Sequence, residues 1–167
     1  MRTWIHWRPA FPQAQHASAG ADFVIGRKLA HNCLAALGSL GSLGSLGSLG
    51  SKVLDVGRGA ARLPLWPAGF CGSITHTDGF AAAVAGKPAR IGSVQIGIDA
   101  EPITALDRDT CEQVLKNCKR LQLACLPARE RGFLETCLFS TKEVIFKAQF
   151  PVTQGFVDFH DVARKLV

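Results

Sequence analysis

The sequence predicts an α/β (α+β) fold, in which helices and short strands share one domain. Two observations predict it: apolar residues recur at helical spacing in three segments, and short apolar runs typical of strands lie between those segments. The chain has 167 residues, of which 47% are apolar, so its size and composition allow one domain with a buried core.

The N-terminal part of the chain begins without a clear pattern. Residues 1–21 are rich in Pro, Ala, Gln and His, and we expect poor order there, followed by a domain over residues 22–167. The first helix is predicted for residues 23–37, with Gly38 as its C-terminal stop. Residues 38–51 then repeat Gly-Ser-Leu. A period of three fits neither helix nor strand, which predicts a flexible linker or an expanded surface loop.

Strand signals dominate the middle of the chain. Short apolar runs predict strands at residues 53–56, 80–85 and 93–98. The segment 57–72 contains six Gly and Pro residues, so we expect an irregular loop there.

The C-terminal part is predicted to hold two helices and a last strand. Residues 108–123 have a helical pattern with Asp107 as the N-cap, and two prolines bracket a second helix at residues 128–150. Phe and Val alternate with Asp and His over residues 156–162, which is the pattern of a strand.

The balance of charge favours acidic partners. The net charge is +6, and a basic protein of this size attracts nucleic acid, phosphorylated cofactors or acidic proteins. Its basic residues are scattered, which argues against a nucleic-acid tail. The sequence shows neither a secretory signal nor a membrane span, so we expect a soluble cytoplasmic monomer that binds neither nucleic acid nor membranes.

The six cysteines suggest neither a metal site nor a disulfide framework. They form no Cys-x-x-Cys pair, and no secretion signal accompanies them. Cys111, Cys118 and Cys125 recur every seven residues, a spacing that on one helix predicts a stripe of small buried side chains.

Two carboxylates follow the predicted strand at residues 93–98. Asp99 and Glu101 are two residues apart, so in an extended chain they point to the same side. They repel each other unless a cation lies between them, and carboxylate oxygens suit Mg²⁺ or Mn²⁺. Alternatively, both are solvated surface acids, which is the commoner explanation of a lone Asp-x-Glu.

Two further segments carry polar groups that suit phosphate chemistry. Glu143 and Lys147 are four residues apart on a predicted helix, where they either complete a metal and phosphate site or form a surface ion pair. In residues 66–76, glycines allow close backbone approach, and the donors are Ser73, Thr75 and His76. A lone histidine of this kind is more often structural.

Taken in this order, the three segments resemble the 4'-phosphopantetheinyl transferases of the Sfp-type and enterobactin-synthase branch. The family has a Trp-Pro…Gly-Ser-(Ile/Leu)-(Ser/Thr)-His segment, a Gly-(Ile/Val)-Asp-x-Glu strand and a Lys-Glu-x-x-x-Lys helix. Here these are residues 66–76, 97–101 and 142–147, and a Gly-Arg pair at residues 26–27 is similar to a helix of the family. The resemblance implies two related α+β halves with the active site between them.

The resemblance also implies roles for individual residues. Asp99, Glu101 and Glu143 would bind Mg²⁺, or Mn²⁺, together with the pyrophosphate of coenzyme A, the co-substrate. Glu143 would be the base, directly or through water, and Lys147 would be a second catalytic residue. The residues expected to contact coenzyme A are Arg27, Arg62, Ser73, Thr75, His76, Lys142 and Lys147.

The implied reaction transfers 4'-phosphopantetheine from coenzyme A to a serine of an acyl or peptidyl carrier protein. It releases adenosine 3',5'-bisphosphate and belongs to siderophore or secondary-metabolite biosynthesis. A basic surface suits this partner, because carrier proteins are generally acidic.

Three features differ from the family pattern. His31 stands where the family usually has arginine, and a neutral imidazole would bind a 3'-phosphate less well. The repeat at residues 38–51 interrupts the connection to the Trp-Pro segment. The chain ends at Val167, where family members usually continue with further strands, so we expect a truncated second half. The alternatives are a coenzyme A-binding remnant without transferase activity and a metal-dependent phosphodiesterase.

Overall fold

The computed structural model combines helices with small antiparallel sheets, an α+β fold as predicted. Five strands and five helices are present in the described residues, and the chain divides into two compact units, residues 1–100 and residues 101–167. The described residues are 5–10, 19–41, 55–59, 63–77, 79–88 and 95–165.

The first unit is built on a three-stranded antiparallel sheet. Its strand order is β1 (Ile5–Ala10), β5 (Phe80–Gly86) and β4 (Cys71–Thr77), with β5 in the centre. Strands β4 and β5 form a hairpin whose turn includes Gly79, where the φ of 71° suits glycine. A second, two-stranded ladder pairs β2 (Gly57–Arg58) with β3 (Pro64–Leu65).

Helix α1 (Ala19–Gly41) covers the sheet and forms the core of this unit with β5. Its buried side chains recur at helical spacing, and the alanines that face them alternate along the strand. Small side chains on β5 let the helix approach the strand closely. The core residues are Leu29, Ala30, Cys33, Leu34, Leu37, Val56, Ala81, Ala83 and Ala85.

Gly72 on β4 lies against two protein groups that leave no room for a side chain. A Cβ atom at this position would collide with the carbonyl oxygen of Val84, and it would lie 2.5 Å from Cζ2 of Trp66. The Trp-Pro…Gly-Ser pattern therefore has a packing reason, because the indole ring occupies the space that the missing side chain leaves.

The second unit contains four helices, and no strand lies within residues 101–165. They are α2 (Arg108–Val114), α3 (Asn117–Ala124), α4 (Ala128–Thr153) and α5 (Phe159–Lys165). Their core centres on Val114, Leu115 and Leu123, and Phe139 and Phe159 pack against it. The rings of these two phenylalanines meet edge to face, with their centres 6.2 Å apart. The implied relation between two α+β halves stays a prediction.

The predicted helix at residues 108–123 is in fact two helices. Asp107 caps the first one as predicted, because its Oδ1 accepts a hydrogen bond of 2.9 Å from the Thr110 amide. The chain then becomes extended at Leu115 and Lys116, which buries Leu115 beside the other core residues. The predicted continuous helix is interrupted because the extended backbone places the Leu115 side chain in the core.

This break also overturns the predicted cysteine stripe. Cys111 and Cys118 lie on different helices, so their seven-residue spacing no longer places them on one face. Cys118 and Cys125 are exposed and Cys111 is half-buried, whereas Cys33 and Cys71 are the buried thiols.

Two predictions near the C-terminus were wrong. Helix α4 does not stop before Pro151 but continues to Thr153. Its C-cap is Gln154, whose φ is 49° and whose amide donates to the Phe150 carbonyl. A proline in the last turn forgoes one hydrogen bond without breaking the helix. The predicted strand at residues 156–162 overlaps α5, because Asp158 accepts a bond of 2.7 Å from the His160 amide.

The N-terminal predictions also need correction. Residues 5–10 form β1, although poor order was expected over the whole of residues 1–21. Helix α1 runs past Gly38 to Gly41, so the first residues of the Gly-Ser-Leu repeat are helical. The rest of the repeat lies outside the described residues.

The strand predictions hold in part. Residues 80–85 are confirmed as a strand within β5. The described residues of the segments 53–56 and 93–98 have no regular structure, and the predicted loop at residues 57–72 carries β2, β3 and the start of β4.

No helix in the described part of the chain is both long and apolar enough to cross a membrane.

The fit at Gly72 leads to a stability prediction. We expect Gly72→Ala to lower the free energy of unfolding by about 1–3 kcal/mol, because the methyl group overpacks a site enclosed by backbone and indole. Gly57→Ala is the matched control, since its Cβ would meet Leu65 at an ordinary 3.5 Å. Urea unfolding measures both variants. Equal stability of Gly72→Ala and the wild type would contradict the close approach.

Candidate active site

Two buried hydroxyl groups on β4 hold the segment that precedes the predicted metal ligands. The Ile98 amide donates to Ser73 Oγ at 3.2 Å, and the Ala100 amide donates to Thr75 Oγ1 at 3.1 Å. Residues 73 and 75 share one face of the strand, so their hydroxyls match alternate amides of an extended segment. Side-chain hydroxyls thus replace a backbone ladder here, which explains why the predicted strand at residues 93–98 is absent over residues 95–98.

Thr75 also orients the carboxylate of Asp99. Its Oγ1 lies 3.3 Å from Asp99 Oδ1 and donates to it in a long hydrogen bond. A hydroxyl has one proton, and this geometry directs that proton to Asp99 while the oxygen accepts from the Ala100 amide. The structure therefore brings together the 66–76 and 97–101 segments, which are separate motifs in the sequence, and it places Thr75 beside the carboxylate of Asp99.

His76 lies at the exposed end of β4. Because side chains alternate along a strand, its ring is on the face opposite to Thr75, which is the face where Ile74 packs against the α1 core. The structure therefore leaves the imidazole accessible to solvent and does not bring it to Asp99.

Arg27 ties α1 to the segment that follows the repeat. Its Nη1 donates to the carbonyl of Val56 at 2.6 Å and to that of Gly57. Burial lowers the pKa of Arg27 from its usual value, while nearby Asp55 acts in the opposite direction. One edge of the predicted phosphate-binding guanidinium is thus engaged with the protein backbone.

Basic and aromatic side chains surround the hydrogen bonds of Arg27. The guanidinium carbons of Arg27 and Arg58 lie 5.0 Å and 5.3 Å from the ring centre of Phe23. His31 Nε2 lies 3.7 Å from Asp55 Oδ1. Sequence reasoning missed Arg58, since nothing in its Gly-Arg-Gly surroundings links it to Phe23 of helix α1. Arg62 lies outside the described residues.

Lys142 is buried in the second unit, with 6% of its surface exposed. Its Nζ donates to the carbonyl oxygens of Val114 at 2.5 Å and Phe159 at 2.7 Å. Burial lowers the pKa of this lysine, nearby Lys116 lowers it further, and Asp158 opposes both. The ammonium group of this predicted phosphate ligand is therefore bonded to backbone carbonyls at the edge of the helical core.

Glu143 and Lys147 are half-buried and lie one turn apart on α4. Within the described ranges, no group of three or more His, Cys, Asp or Glu side chains forms a cluster that could hold a metal ion. The chemistry of the predicted donor set nevertheless suits a hard cation, because Asp99, Glu101 and Glu143 all offer carboxylate oxygens. Their assignment as ligands stays a prediction.

Comparison with known proteins identifies the family. A family model described as the 4'-phosphopantetheinyl transferase N-terminal domain matches residues 10–86. The chain is 34% identical over 158 residues to the 4'-phosphopantetheinyl transferase Npt of Nocardia iowensis, covering 91% of this chain and 64% of that protein. It is 39% identical over 99 residues to the 4'-phosphopantetheinyl transferase Svp of Streptomyces mobaraensis, covering 59% and 39%.

A further relative is similar over more of its own length. The enterobactin synthase component D of Escherichia coli (strain K12) is 31% identical over 163 residues, covering 94% of this chain and 69% of that protein. The chain spans less than two thirds of the length of Npt and of Svp. These similarities confirm the resemblance predicted from the three motifs: the chain belongs to the 4'-phosphopantetheinyl transferase family.

Proposed function

We propose that this protein transfers 4'-phosphopantetheine from coenzyme A to a serine hydroxyl of an acyl or peptidyl carrier protein. Family membership supports the reaction class. The observation that carries the proposal to this chain is the bond between Thr75 and Asp99, because it joins the first two family motifs into one arrangement. The basic net charge of +6 favours an acidic carrier protein.

The proposed reaction exchanges one phosphorus–oxygen bond for another. The serine oxygen attacks the phosphorus that bears pantetheine, and the bond to the adenosine-bearing phosphate breaks. Adenosine 3',5'-bisphosphate leaves with the bonding electron pair, and the serine proton passes to a base. Negative charge develops on the leaving phosphate oxygens, so nearby cations lower the barrier.

Asp99, Glu101 and Glu143 are the proposed ligands of Mg²⁺ or Mn²⁺. A divalent cation bound there would neutralise charge on the pyrophosphate and polarise it for attack. The part played by Thr75 is to hold the carboxylate of Asp99 in one orientation, as groups that bond to metal-binding side chains commonly do.

Glu143 is the proposed base, which accepts the serine proton directly or through a water molecule. Lys147 lies one turn further along α4 and is proposed to donate to a phosphate group. His76, which is exposed to solvent, is proposed to contact a phosphate group of coenzyme A. Arg27 and Arg62 are proposed to contact the 3'-phosphate.

The sequence predicts that Ser73 and Thr75 donate to phosphate oxygens. We propose that Thr75 donates to Asp99 instead, since its proton is directed to that carboxylate. Ser73 is proposed to support the same segment through its bond with the Ile98 amide.

The ligand role of Asp99 predicts a loss of activity without a loss of fold. We expect Asp99→Asn to reduce transfer by at least about 100-fold, because the amide keeps the shape and removes the charge that a cation needs. The measurement is the mass gain of an apo carrier protein incubated with coenzyme A and Mg²⁺. Asp109→Asn, on the exposed side of α2, is the control and should act like the wild type. Wild-type rates in Asp99→Asn would refute the ligand assignment.

The Thr75 hydroxyl can be tested separately from the carboxylate. We expect Thr75→Val, which keeps the branched shape, to raise the Mg²⁺ concentration for half-maximal transfer by about 10–100-fold. Thr75→Ser should restore most of the wild-type response, because it returns the hydroxyl. A raised KM for coenzyme A at an unchanged Mg²⁺ requirement would instead show that Thr75 contacts phosphate.

Coenzyme A binding and coenzyme A cleavage, measured beside the mass gain of the carrier protein, separate the alternative functions. Coenzyme A binding in a calorimeter without any mass gain on the carrier protein would favour a coenzyme A-binding remnant. Cleavage of the coenzyme A pyrophosphate in the absence of a carrier protein would favour a phosphodiesterase.

A further inference from the structure

The ammonium group of Lys142 lies where three helices of the second unit meet. It extends from α4 and donates to the carbonyl of Val114, the last residue of α2, and to that of Phe159, the first residue of α5. Only 6% of the surface of this residue is exposed. A group so enclosed makes its contacts with the protein, which leaves little access for a bound phosphate.

Helix periodicity explains why a lysine is buried at this position. Leu138 and Phe139 of α4 pack against the core of the second unit, and Lys142 follows them by four and three residues. These spacings place all three side chains on one face of the helix. The methylene groups of Lys142 therefore lie on the inward face of α4, and its ammonium group lies at the edge of the apolar cluster.

The contact with α2 satisfies a need of that helix. Carbonyl groups in the last turn of a helix have no partner within the helix, and the partial negative charge of the helix end attracts cations. Helix α2 has seven residues and no basic residue in its last turn. Lys142 of α4 places a cation at this helix end, where it forms a short charge-assisted hydrogen bond with the Val114 carbonyl.

The contact with α5 joins a second element to the same group. Phe159 begins α5, and its ring also packs edge to face against Phe139 of α4. The ammonium and the ring pair together fasten α5 to α4. Replacing the ammonium would leave two carbonyl groups without this donor inside the protein, which is unfavourable for the folded state.

We propose that Lys142 is a positioning residue, whose ammonium fastens α4 to the end of α2 and the start of α5 and so fixes the turn that carries Glu143 and Lys147. Its part in placing these two residues rests on the proposed function, whereas the fastening of the helices does not. This role replaces the expected contact of Lys142 with coenzyme A.

Lysine labelling of the wild-type protein tests the burial directly. Acetylation followed by peptide mass spectrometry should modify Lys142 at least about tenfold more slowly than Lys119, which is exposed on α3. Adding coenzyme A and Mg²⁺ should leave the Lys142 rate unchanged and should slow the labelling of Lys147. Fast labelling of Lys142 that coenzyme A suppresses would overturn the proposal.

Matched variants test the positioning role. We expect Lys142→Met to increase amide hydrogen exchange in residues 159–165 at least about tenfold, and to lower kcat while the Kd for coenzyme A changes less than about twofold. Lys142→Arg should recover part of both losses, since it keeps a charged donor. Lys119→Met is the control and should leave exchange and kcat unchanged.

The outcomes separate this proposal from the proposed function. Wild-type exchange in Lys142→Met, together with coenzyme A binding weakened at least about tenfold, would show that Lys142 is a phosphate ligand. If Lys142→Met does not fold, the wild-type labelling pattern and Lys142→Arg still decide the question. If the wild type transfers nothing, slow Lys142 labelling still supports the fastening, and only the proposed function fails.

Discussion

The close contact between α1 and β5 is the constraint on which the rest of the first unit depends. Helix α1 can lie on the sheet because the strand presents alanines at residues 81, 83 and 85, which add little height beneath the helix. This contact fixes the central strand, and β4 pairs with it over its whole length. Gly72 brings β4 against the indole of Trp66, and the hydroxyls of the same strand then hold residues 98–100. The orientation of Asp99 therefore depends, through β4 and β5, on apolar packing elsewhere in the first unit.

Several charged and polar side chains of the family motifs form hydrogen bonds with the protein backbone. Arg27 bonds to two backbone carbonyls, Thr75 to a backbone amide, and Lys142 to carbonyls of two helices. A buried polar group is stable only when it is hydrogen-bonded, so each of these contacts limits where its side chain can go. A motif residue can therefore be required for the placement of a neighbour rather than for contact with the substrate.

The sequence predicted the elements whose signals are local and failed where distant contacts decide. Strand 80–85 and the cap at Asp107 follow from patterns within a few residues, and both are present. The break after Val114 does not follow from such a pattern, because the burial of Leu115 depends on a core supplied by other helices. The strand predicted at residues 156–162 failed for a local reason, because Asp158 caps helix α5 by accepting a bond from the amide of His160, which the alternating pattern does not reveal.

The sequence by itself determined the family, because three short motifs in a fixed order are visible without coordinates, and it singled out the carboxylates and basic residues of the candidate site. Only the tertiary structure decided which of these side chains meet. It joined Thr75 to Asp99 and set Lys142 against Val114 and Phe159. Residue type fixes what a side chain can donate or accept, whereas its partner depends on how elements far apart in the chain pack together.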